Sequence, residues 1–413
     1  MTASSPGWYD RLRRAVAKRT GLPRNVIVLA IIAFFVMVGF GVVIPVLPVY
    51  AGSFGVGQFW VGLVVSSFAM LRLATSPFTG PLISALGERL TLGIGMVIVA
   101  ASSVGMGLST NYWQLLLTRA GGGIGSAMFT VSAMTLLINT VAADRRGRAV
   151  GTYQSGFLLG GMAGPALGGL LAKISLTAPF FFYAVTLLVA GAVGLILLRP
   201  VTHQTTGSGS EVKPFGQVLR DKRYQAALMS NFSNGWTSMG VRSSLTPVLV
   251  VSVLHRDPVW TGIALAVAAV VQTLALGPAG RFVDRAGRRP AAIMGPALAM
   301  VAIMVVAIAP NIWVLILALA AYGVAGSMLG TAPAASVGDA AGGRGGTPVA
   351  VFSMMGDVGQ IVGPLVAGWL WDTTNPVVAF GVGAALWLIT VLMAIRMPNT
   401  RPGSEDSHAA TAR

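Results

Sequence analysis

Four charged side chains lie within long apolar runs of the sequence, where charges are rare: Arg72, Arg119, Arg242 and Asp357. A charged group in hydrocarbon costs at least about 2.5–3.5 kcal/mol, so each of the four is expected to serve a function. Asp357 is the one carboxylate among them, and a carboxylate shielded from water can take up and release protons near neutral pH. We therefore predict that Asp357 carries protons. The alternative is an ion pair with Arg344 or with arginines of the neighbouring loops.

The three arginines and the one aspartate leave the apolar runs with a net charge of +2. If Arg72 and Arg242 face a central cavity, that charge favours an anionic or zwitterionic ligand. Arg72 has a second interpretation, in which its guanidinium reaches the membrane surface or caps a helix break near Ser76 and Pro77. Six further polar or aromatic residues are candidates for the cavity wall, although each type is also common in helix packing: Tyr153, Gln154, Asn231, Asn234, Trp236 and Gln272.

The residue types needed for most enzyme chemistry are absent or badly placed. The chain has no cysteine, which excludes disulfides, thiolate catalysis and cysteine metal sites. Its three histidines, His203, His255 and His408, fall outside the apolar runs, and no G-x4-G-K-[ST] loop for nucleotide phosphates is present. We expect neither enzyme activity nor a metal or other cofactor.

The elements that position the buried charges are long apolar helices. Of 413 residues, 54% are hydrophobic and 10% are charged, with a mean hydropathy of +0.76, whereas soluble domains carry about 25% charged residues. The apolar residues form blocks of about 20, the length at which a helix crosses about 30 Å of hydrocarbon. They do not alternate as the strands of a barrel would. The sequence predicts an all-α integral membrane protein with twelve transmembrane helices, near 26–50, 58–83, 91–110, 113–141, 149–172, 178–198, 224–252, 259–282, 291–310, 313–337, 348–371 and 377–397.

The basic residues lie mainly in the connections on one side of these spans. Of 28 lysines and arginines, 23 fall on the side that holds both termini, and two, Lys173 and Arg256, fall on the other. Because positively charged connections stay in the cytoplasm, we predict a multi-pass cell-membrane protein with both termini cytoplasmic. The net charge of +16 would also suit nucleic acid, but dispersal along one membrane face argues against that partner. No cleavable signal is expected, because the first apolar run is too long for one.

The second half of the chain repeats landmarks of the first half at an offset of about 199 residues. The segment 41–48, which reads GVVIPVLP, corresponds to 240–247, and a glycine and proline pattern of the fifth predicted span recurs in the eleventh. Parallel six-helix halves are a recurring transporter plan with the substrate site between them. We predict a domain order of tail, bundle, linker, bundle and tail: 1–25, 26–198, 199–223, 224–397 and 398–413.

The connection between the eighth and ninth predicted spans carries a signature. Residues 280–289 read GRFVDRAGRR and resemble the G-x-x-x-D-R-x-G-R-R loop of the major facilitator superfamily. Acidic and basic side chains at a glycine turn can pair with helix ends in one conformation and release them in another. We therefore expect six residues to form a conformational latch, the alternative being a plain basic loop: Gly280, Asp284, Arg285, Gly287, Arg288 and Arg289. The corresponding loop 80–89 has Ser84 in place of the aspartate and leaves Glu88 and Arg89 as substitutes.

The fifth predicted span carries small residues at fixed spacing. They match the motif G-x8-G-x3-G-P-x2-G-G of the twelve-helix drug:proton antiporters of the same superfamily: Gly151, Gly160, Gly164, Pro165, Gly168 and Gly169. Glycines at this spacing allow a second helix to approach closely, and the proline favours a bend. The alternative is the close packing found in any multi-span protein. In the antiporters, the motif is associated with export.

The sequence around Arg119 also resembles these antiporters. Residues 115–125 read LLLTRAGGGIG and resemble L-x-x-x-R-x-x-Q-G-x-G, with Gly122 where glutamine is usual. The resemblance implies a role for Arg119 in proton coupling, and a fixed cation suits that role because it makes the proton of a nearby carboxylate easier to transfer. The alternative is an arginine that binds backbone carbonyls and holds helices together.

The resemblance covers nearly the whole chain and implies the major facilitator fold, which is two pseudo-symmetric six-helix bundles. It predicts a secondary-active transporter that exports small amphipathic molecules, such as drugs or metabolites, by proton antiport with alternating access. The alternative within transport is an exporter or facilitator of an anionic or zwitterionic metabolite without proton coupling. A membrane-bound enzyme or sensor is disfavoured. The expected partners are a small-molecule substrate, protons and the lipid bilayer, and the chain is expected to act as a monomer.

Overall fold

The computed structural model describes residues 22–141, 145–198, 215–340 and 346–398. Most of the two predicted tails, most of the predicted linker and Arg344 lie outside these residues. All regular secondary structure within the described ranges is helical, which confirms the all-α prediction. Eleven of the helices there are long and apolar enough to cross a membrane.

The first half consists of long helices, of which the first is broken at residues 44–46. Pro45 has no N–H and cannot continue the ladder of helical hydrogen bonds, so the predicted span 26–50 becomes a long helix and a short one. The helices are α1 (Arg24–Val43), α2 (Leu47–Gly52), α3 (Gln58–Leu86), α4 (Glu88–Gly107), α5 (Tyr112–Thr140), α6 (Arg146–Ala172) and α7 (Ala178–Leu197).

The second half follows the same order, so that each label is eight higher than that of the equivalent helix in the first half. Its helices are α8 (Phe215–Arg220), α9 (Lys222–Gly235), α10 (Thr246–Val248), α11 (Val259–Ala286), α12 (Arg288–Ala307), α13 (Ile312–Ala340), α14 (Gly346–Thr373) and α15 (Pro376–Ile395). Here α8 lies in the later part of the predicted linker, 199–223.

The segment predicted as one plain helix at 224–252 is not regular. Two π-helical segments, Trp236–Leu245 and Leu249–Val253, lie on either side of α10. Pro247 has no backbone donor here. The carbonyl oxygen of Val241 accepts both the backbone N–H of Thr246, five residues on, and the Thr246 hydroxyl over 3.2 Å. This segment is the one predicted span that is not among the eleven regular helices of the described chain.

The connections between the helices alternate between two faces of the molecule. The terminal face holds the start of α1 at Arg24, the end of α15 at Ile395, and the turns at Gly87 and Gly287. These two glycines have φ angles of +80° and +93°, a left-handed conformation that glycine adopts with least strain. The opposite face holds the connections at 53–57, 108–111, 173–177, 254–258, 308–311 and 374–375.

Paired tryptophans mark the helix ends at the opposite face. The rings of Trp60 and Trp113 lie 5.9 Å apart, and those of Trp260 and Trp313 lie 5.5 Å apart. The second pair sits 200 residues after the first, at the equivalent ends of α11 and α13. Because tryptophan is enriched where helices leave the hydrocarbon, both halves end at the same membrane boundary.

Each half has its own apolar core and the same internal close contact. The first core is built around Leu29, Ile32 and Phe180, and the second around Ile303, Phe380 and Trp387. A Cβ atom on Gly164 of α6 would lie 2.7 Å from Cα of Gly41 in α1. At an offset of 199 residues, a Cβ atom on Gly240 would lie 2.9 Å from Cα of Gly363 in α14. The repeat in the sequence is therefore also a repeat in helix packing.

The two halves touch near the opposite face through a pair of backbone contacts that obey the same symmetry. A Cβ atom on Gly62 of α3 would overlap the carbonyl oxygen of Pro364 in α14, and one on Gly262 of α11 would overlap that of Pro165 in α6. No side chain fits between the backbones at either point. We call these two contacts the glycine–proline contacts.

From the glycine–proline contacts toward the terminal face, the two interfaces differ. Helices α3 and α14 stay in contact, because the Ser66 hydroxyl donates to the carbonyl oxygen of Ile361 over 2.7 Å and Arg72 reaches Asp357. Helices α6 and α11 diverge and enclose a cavity. A Cβ atom on Gly330, in the wall of that cavity, would meet no atom within 4 Å. The molecule is closed at the opposite face and open between the halves toward the terminal face.

We predict that valine in place of Gly62 or Gly262 opens the opposite face, because a branched side chain cannot fit between the two backbones. Overpacking of this kind costs about 1–3 kcal/mol, which is about a 5- to 150-fold change in the ratio of closed to open molecules. The measurement is the rate at which a maleimide labels Ser66→Cys. Ser66 is fully buried at the α3–α14 interface, and the chain has no native cysteine.

Valine in place of Gly80 or Gly277, on the same two helices, is the matched control. A Cβ atom at either control position meets no atom within 4 Å, so the labelling rate should not change. Equal labelling of all four variants would show that the glycine–proline contacts do not hold the opposite face closed.

Candidate functional site

The candidate site is the cavity of about 430 Å³ between the two halves. Its wall is formed by α1 and α6 of the first half and by the first π-helical segment, α11 and α13 of the second half. The residues of the wall are Met37, Gly41, Ile44, Gln154, Phe157, Leu158, Gly161, Pro165, Arg242, Ser243, Leu265, Ala269, Gln272, Thr273, Leu276, Gly326 and Gly330. A cavity of this size, with a mostly apolar wall and a few polar groups, is typical of a small-molecule site.

The polar groups of the wall come from both halves. Gln154 on α6 and Gln272 on α11 offer amides, and Ser243 and Thr273 offer hydroxyls. Arg242 is the one charged side chain in the described wall. Of the sequence-predicted cavity residues, the structure therefore brings Arg242, Gln154 and Gln272 together.

Arg242 reaches the cavity from the first π-helical segment, whose wider turns change the direction in which its side chains point. Its Nη2 donates to the hydroxyl of Ser238 over 3.3 Å, and its guanidinium carbon lies 5.7 Å from the ring centre of Tyr322. No carboxylate of a described side chain pairs with it. Its charge is held in place by a hydroxyl and an aromatic face, and it stays uncompensated.

Arg72 and Asp357 form an ion pair across the two halves, with Nη2 of the arginine on Oδ1 of the aspartate. Among the described residues, the ion-pair partner of Asp357 is therefore Arg72. The alternative interpretation named loop arginines or Arg344, and Arg344 lies outside the described residues. Both residues lie near the middle of their helices, α3 and α14, and about a quarter of each side chain is exposed. Arg72 does not line the described cavity. It closes the second interface between the halves.

Arg119 is buried on α5, with 4% of its surface exposed. Its guanidinium carbon lies 4.3 Å from the ring centre of Phe68 and 5.7 Å from that of Phe40, while its Nε has no hydrogen-bond partner among the described residues. Ile44 and Ser243 separate this small pocket from the main cavity, since they line both. Cation–π contact of a desolvated arginine is worth about 2 kcal/mol or more. Arg119 is thus a fixed cation beside the cavity.

The remaining predicted cavity residues lie in helix packing. The side-chain amide of Asn231 donates to the carbonyl oxygen of Phe352 over 2.6 Å and so joins α9 to α14. Trp236 and Tyr153 are buried in the cores of their halves, and Asn234 is half-buried outside the described wall. These four residues support the helices that carry the site.

The residues of the loop signature are found at the terminal face. Gly280 lies within α11, Arg285 lies in its last turn, Gly287 forms the turn, and α12 begins at Arg288. The Nη2 of Arg289 donates to the carbonyl oxygen of Ile395 over 2.6 Å and ties α12 to the end of α15. The side chain of Asp284 lies outside the described residues. In the first half, the amide of Asn139 donates to Oε1 of Glu88 over 3.2 Å.

The glycine motif faces two different helices. Cβ atoms on Gly160, Gly164 or Gly168 would meet the backbone of α1, whereas one on Gly169 would lie 3.0 Å from Cα of Val259 at the start of α11. Gly151, by contrast, has open space around it. The motif therefore packs α6 on its own half and also contributes to the contact between the halves.

Asp372 is a functional candidate that the sequence did not indicate. Its Oδ1 and Oδ2 each accept a backbone N–H, from Gln58 and Phe59 respectively, at 2.9 Å. These are the first amides of α3, which has no side-chain cap of its own. A carboxylate at a helix N-terminus satisfies unpaired donors and opposes the helix dipole. Asp372, at the end of α14, thus caps a helix of the other half at the opposite face.

Comparison with known proteins gives a family match over both halves. The family model described as Major Facilitator Superfamily matches residues 29–271 and 227–412. The chain is 29% identical over 195 residues to the quinolone resistance protein NorA of Staphylococcus aureus, which is 46% of this chain and 49% of that protein. It is 30% identical over 261 residues to the synaptic vesicular amine transporter of Bos taurus, 62% of this chain and 49% of that protein. The matched segments span about half the length of these curated relatives.

Solved structures share the fold at lower sequence identity. The crystal structure of the human organic anion transporter MFSD10 has a TM-score of 0.66 and 18% sequence identity, covering 90% of this chain and 99% of that chain. At this identity, the likeness concerns the arrangement of helices alone.

We predict that Asp372→Ala frees the first turn of α3. The loss of an N-terminal cap costs about 0.5–2 kcal/mol, equivalent to about a 2- to 30-fold change in local opening. The amides of Gln58 and Phe59 should exchange hydrogen faster by about that factor in hydrogen-exchange mass spectrometry.

Asp257→Ala is the matched control, because Asp257 is also an exposed aspartate at the opposite face but accepts from Val259 of its own half over 2.9 Å. It should leave the exchange of residues 58 and 59 unchanged. Unchanged exchange in Asp372→Ala as well would contradict the assigned cap.

Proposed function

The chain belongs to the Major Facilitator Superfamily of membrane transporters, and on that premise we propose that it is a secondary-active exporter of small amphipathic molecules, driven by proton antiport. Family and fold are those of transporters and not of enzymes. The export of drugs or metabolites from the cell by a monomer is the specific activity that we propose.

The observation that carries this proposal is the cavity between the halves, closed at one face and open toward the other. The two glycine–proline contacts close the opposite face at symmetry-equivalent points. If those contacts separate while the terminal ends approach each other, the same cavity becomes accessible from the other side. This is the rocking of two repeats about a fixed midplane site.

We further propose that residues 222–253 cross the membrane as the seventh of twelve spans. Helix α9, the two π-helical segments and α10 follow one another without a gap, and the segment packs against α14 and α15 within the second half. The distribution of lysine and arginine supports a cytoplasmic terminal face and a cell-membrane location. In that orientation, the described conformation accepts substrate from the cytoplasm.

Two observations support export as the direction of transport. The glycine motif of α6 matches that of drug:proton antiporters at every fixed position. NorA, to which the chain is similar over 195 residues, bears the printed description of a quinolone resistance protein. A mostly apolar wall with amide and hydroxyl groups suits amphipathic cargo.

Proton coupling is proposed to act through the ion pair of Arg72 and Asp357. The pair joins α3 to α14 in the conformation that is open to the terminal face. Protonation of Asp357 removes its charge, and the two helices then lose the attraction that holds them together at mid-membrane. The paired state is therefore the state from which the proton has already left toward the cytoplasm.

Arg119 supports this cycle as a second, fixed cation. It lies on α5, and its guanidinium packs on the ring of Phe68, which is one helical turn before Arg72 on α3. When Asp357 is neutral, Arg72 faces the repulsion of Arg119 without a compensating carboxylate. Arg119 thereby favours the separation of Arg72 from the neutral Asp357.

We predict that Asp357→Asn abolishes accumulation driven by a pH gradient, because the amide cannot carry a proton. The measurement is uptake of a fluorescent amphipathic substrate into proteoliposomes with an imposed gradient, compared with empty liposomes. In Arg72→Gln, gradient-driven transport should persist, because the carboxylate that carries the proton is still present.

The two variants together separate a proton carrier from a structural ion pair. A purely structural pair would make Asp357→Asn and Arg72→Gln equal in effect. Asp257→Asn, an exposed aspartate at the opposite face, is the matched control and should transport normally. If transport by Asp357→Asn still depends fully on the gradient, the assignment of proton coupling to this residue is wrong. Uncoupled transport is then the remaining proposal.

A further inference from the structure

We infer that the cavity selects amphipathic organic monoanions and that Arg242 binds their carboxylate or other acidic group. This inference rests on the proposed transport function and specifies the class of its cargo. It follows from the charge, the free donors and the apolar surface of the wall.

The charge of the wall is the first argument. Arg242 is the one ionic group among the described lining residues, and no described carboxylate lies within ion-pair distance of it. Asp357, the carboxylate nearest the middle of the membrane, is paired with Arg72 outside the wall. An unpaired cation within a membrane protein is costly, and an anionic ligand removes that cost.

The unused donors of Arg242 are the second argument. A guanidinium has five N–H donors, and one of the Nη2 hydrogens goes to Ser238. The ring of Tyr322 and the hydroxyl of Ser238 fix the orientation of the side chain from behind. The remaining donors are available for a two-point hydrogen bond to a carboxylate, which is the strongest neutralising contact that arginine makes.

The apolar surface is the third argument. Met37, Ile44 and Phe157 come from the first half, and Leu265 and Leu276 from the second. The cavity of about 430 Å³ lies in the range of sites for drug-sized molecules. The acidic group would lie at Arg242, and an aromatic or aliphatic body would lie along these side chains toward α6 and α11.

The two inter-half interfaces show why the charge remains open at this site. By the repeat, Gln272 of α11 corresponds to Arg72 of α3, and Leu158 of α6 corresponds to Asp357 of α14. The ion pair that fills one interface is thus replaced in the other by an amide and an apolar side chain that line the cavity. Arg242 itself corresponds to Val43, so symmetry does not require a cation there.

The test compares three probes with the same naphthyl body: 2-naphthylacetate, its methyl ester and 2-(2-naphthyl)ethylammonium. Binding to the full-length protein in nanodiscs is measured by isothermal titration. The anion should bind most tightly, and Arg242→Gln should weaken its binding about 10- to 100-fold, as expected for a hydrogen bond to a charged group. Arg242→Lys, which keeps the charge but loses the two-point geometry, should weaken it less. Ester binding should stay unchanged in both variants, which also shows that they are folded.

Arg256→Gln is the matched control, since it removes an exposed arginine of the opposite face and should leave anion binding unchanged. Tighter binding of the ammonium probe, or anion binding that is insensitive to Arg242→Gln, would overturn the inference. Transport assays in proteoliposomes distinguish this failure from that of the proposed function. Transport of the ammonium probe alone would leave the transporter assignment standing and refute the anion class, whereas transport of none of the three probes would count against both.

Discussion

The close approach of helix backbones at Gly62 and Gly262 is the constraint on which the rest of the structure depends. At each point, a glycine of one half lies against the carbonyl oxygen of a proline in the other half, with no room for a Cβ atom. Because the two contacts are equivalent under the repeat, they hold the two halves together at two points that lie at the same depth in the membrane. The closed opposite face and the cavity beyond it both follow from these contacts, and Asp372 adds a helix cap across the same interface.

The two interfaces between the halves pack in the same way but differ in charge. Both interfaces begin with the same glycine–proline contact, yet one continues into the ion pair of Arg72 and Asp357 and the other into the cavity lined by Gln272. An ion pair at mid-membrane draws α3 and α14 together, whereas α6 and α11 have no such attraction and diverge. The chain thus places its titratable group and its ligand cavity in different interfaces of the same pair of halves. In the proposed rocking motion the two interfaces are coupled, because neither can change unless one half moves against the other.

Local patterns predicted the helices and many of their close contacts, and they failed where distant residues meet. Apolar blocks predicted twelve spans, because burial of the backbone in lipid leaves few alternatives, and eleven of them are long apolar helices within the described residues. The motif on α6 indicated close packing, but a glycine pattern does not name the helix it faces, and Gly169 meets the other half. Arg72 and Asp357 were both identified as buried charges, although their pairing joins residues 285 positions apart. Asp372 gave no signal because its partners lie more than 300 positions away, and Asn231 supports helix packing, a role that residue type alone does not reveal.

The central claim is that the two faces open and close in opposition around one cavity. Paired spin labels test it directly, with one pair at Ser53→Cys and Thr374→Cys on the opposite face and another at Ala85→Cys and Ala350→Cys near the terminal face. Distances measured by pulsed electron resonance in nanodiscs should show a short opposite-face distance and a long terminal-face distance at alkaline pH. On acidification, the opposite-face labels should move from the short to the long distance, and the terminal-face labels from the long to the short distance. The same fraction of molecules should show both changes. Distances that change independently, or in the same direction, would contradict the account.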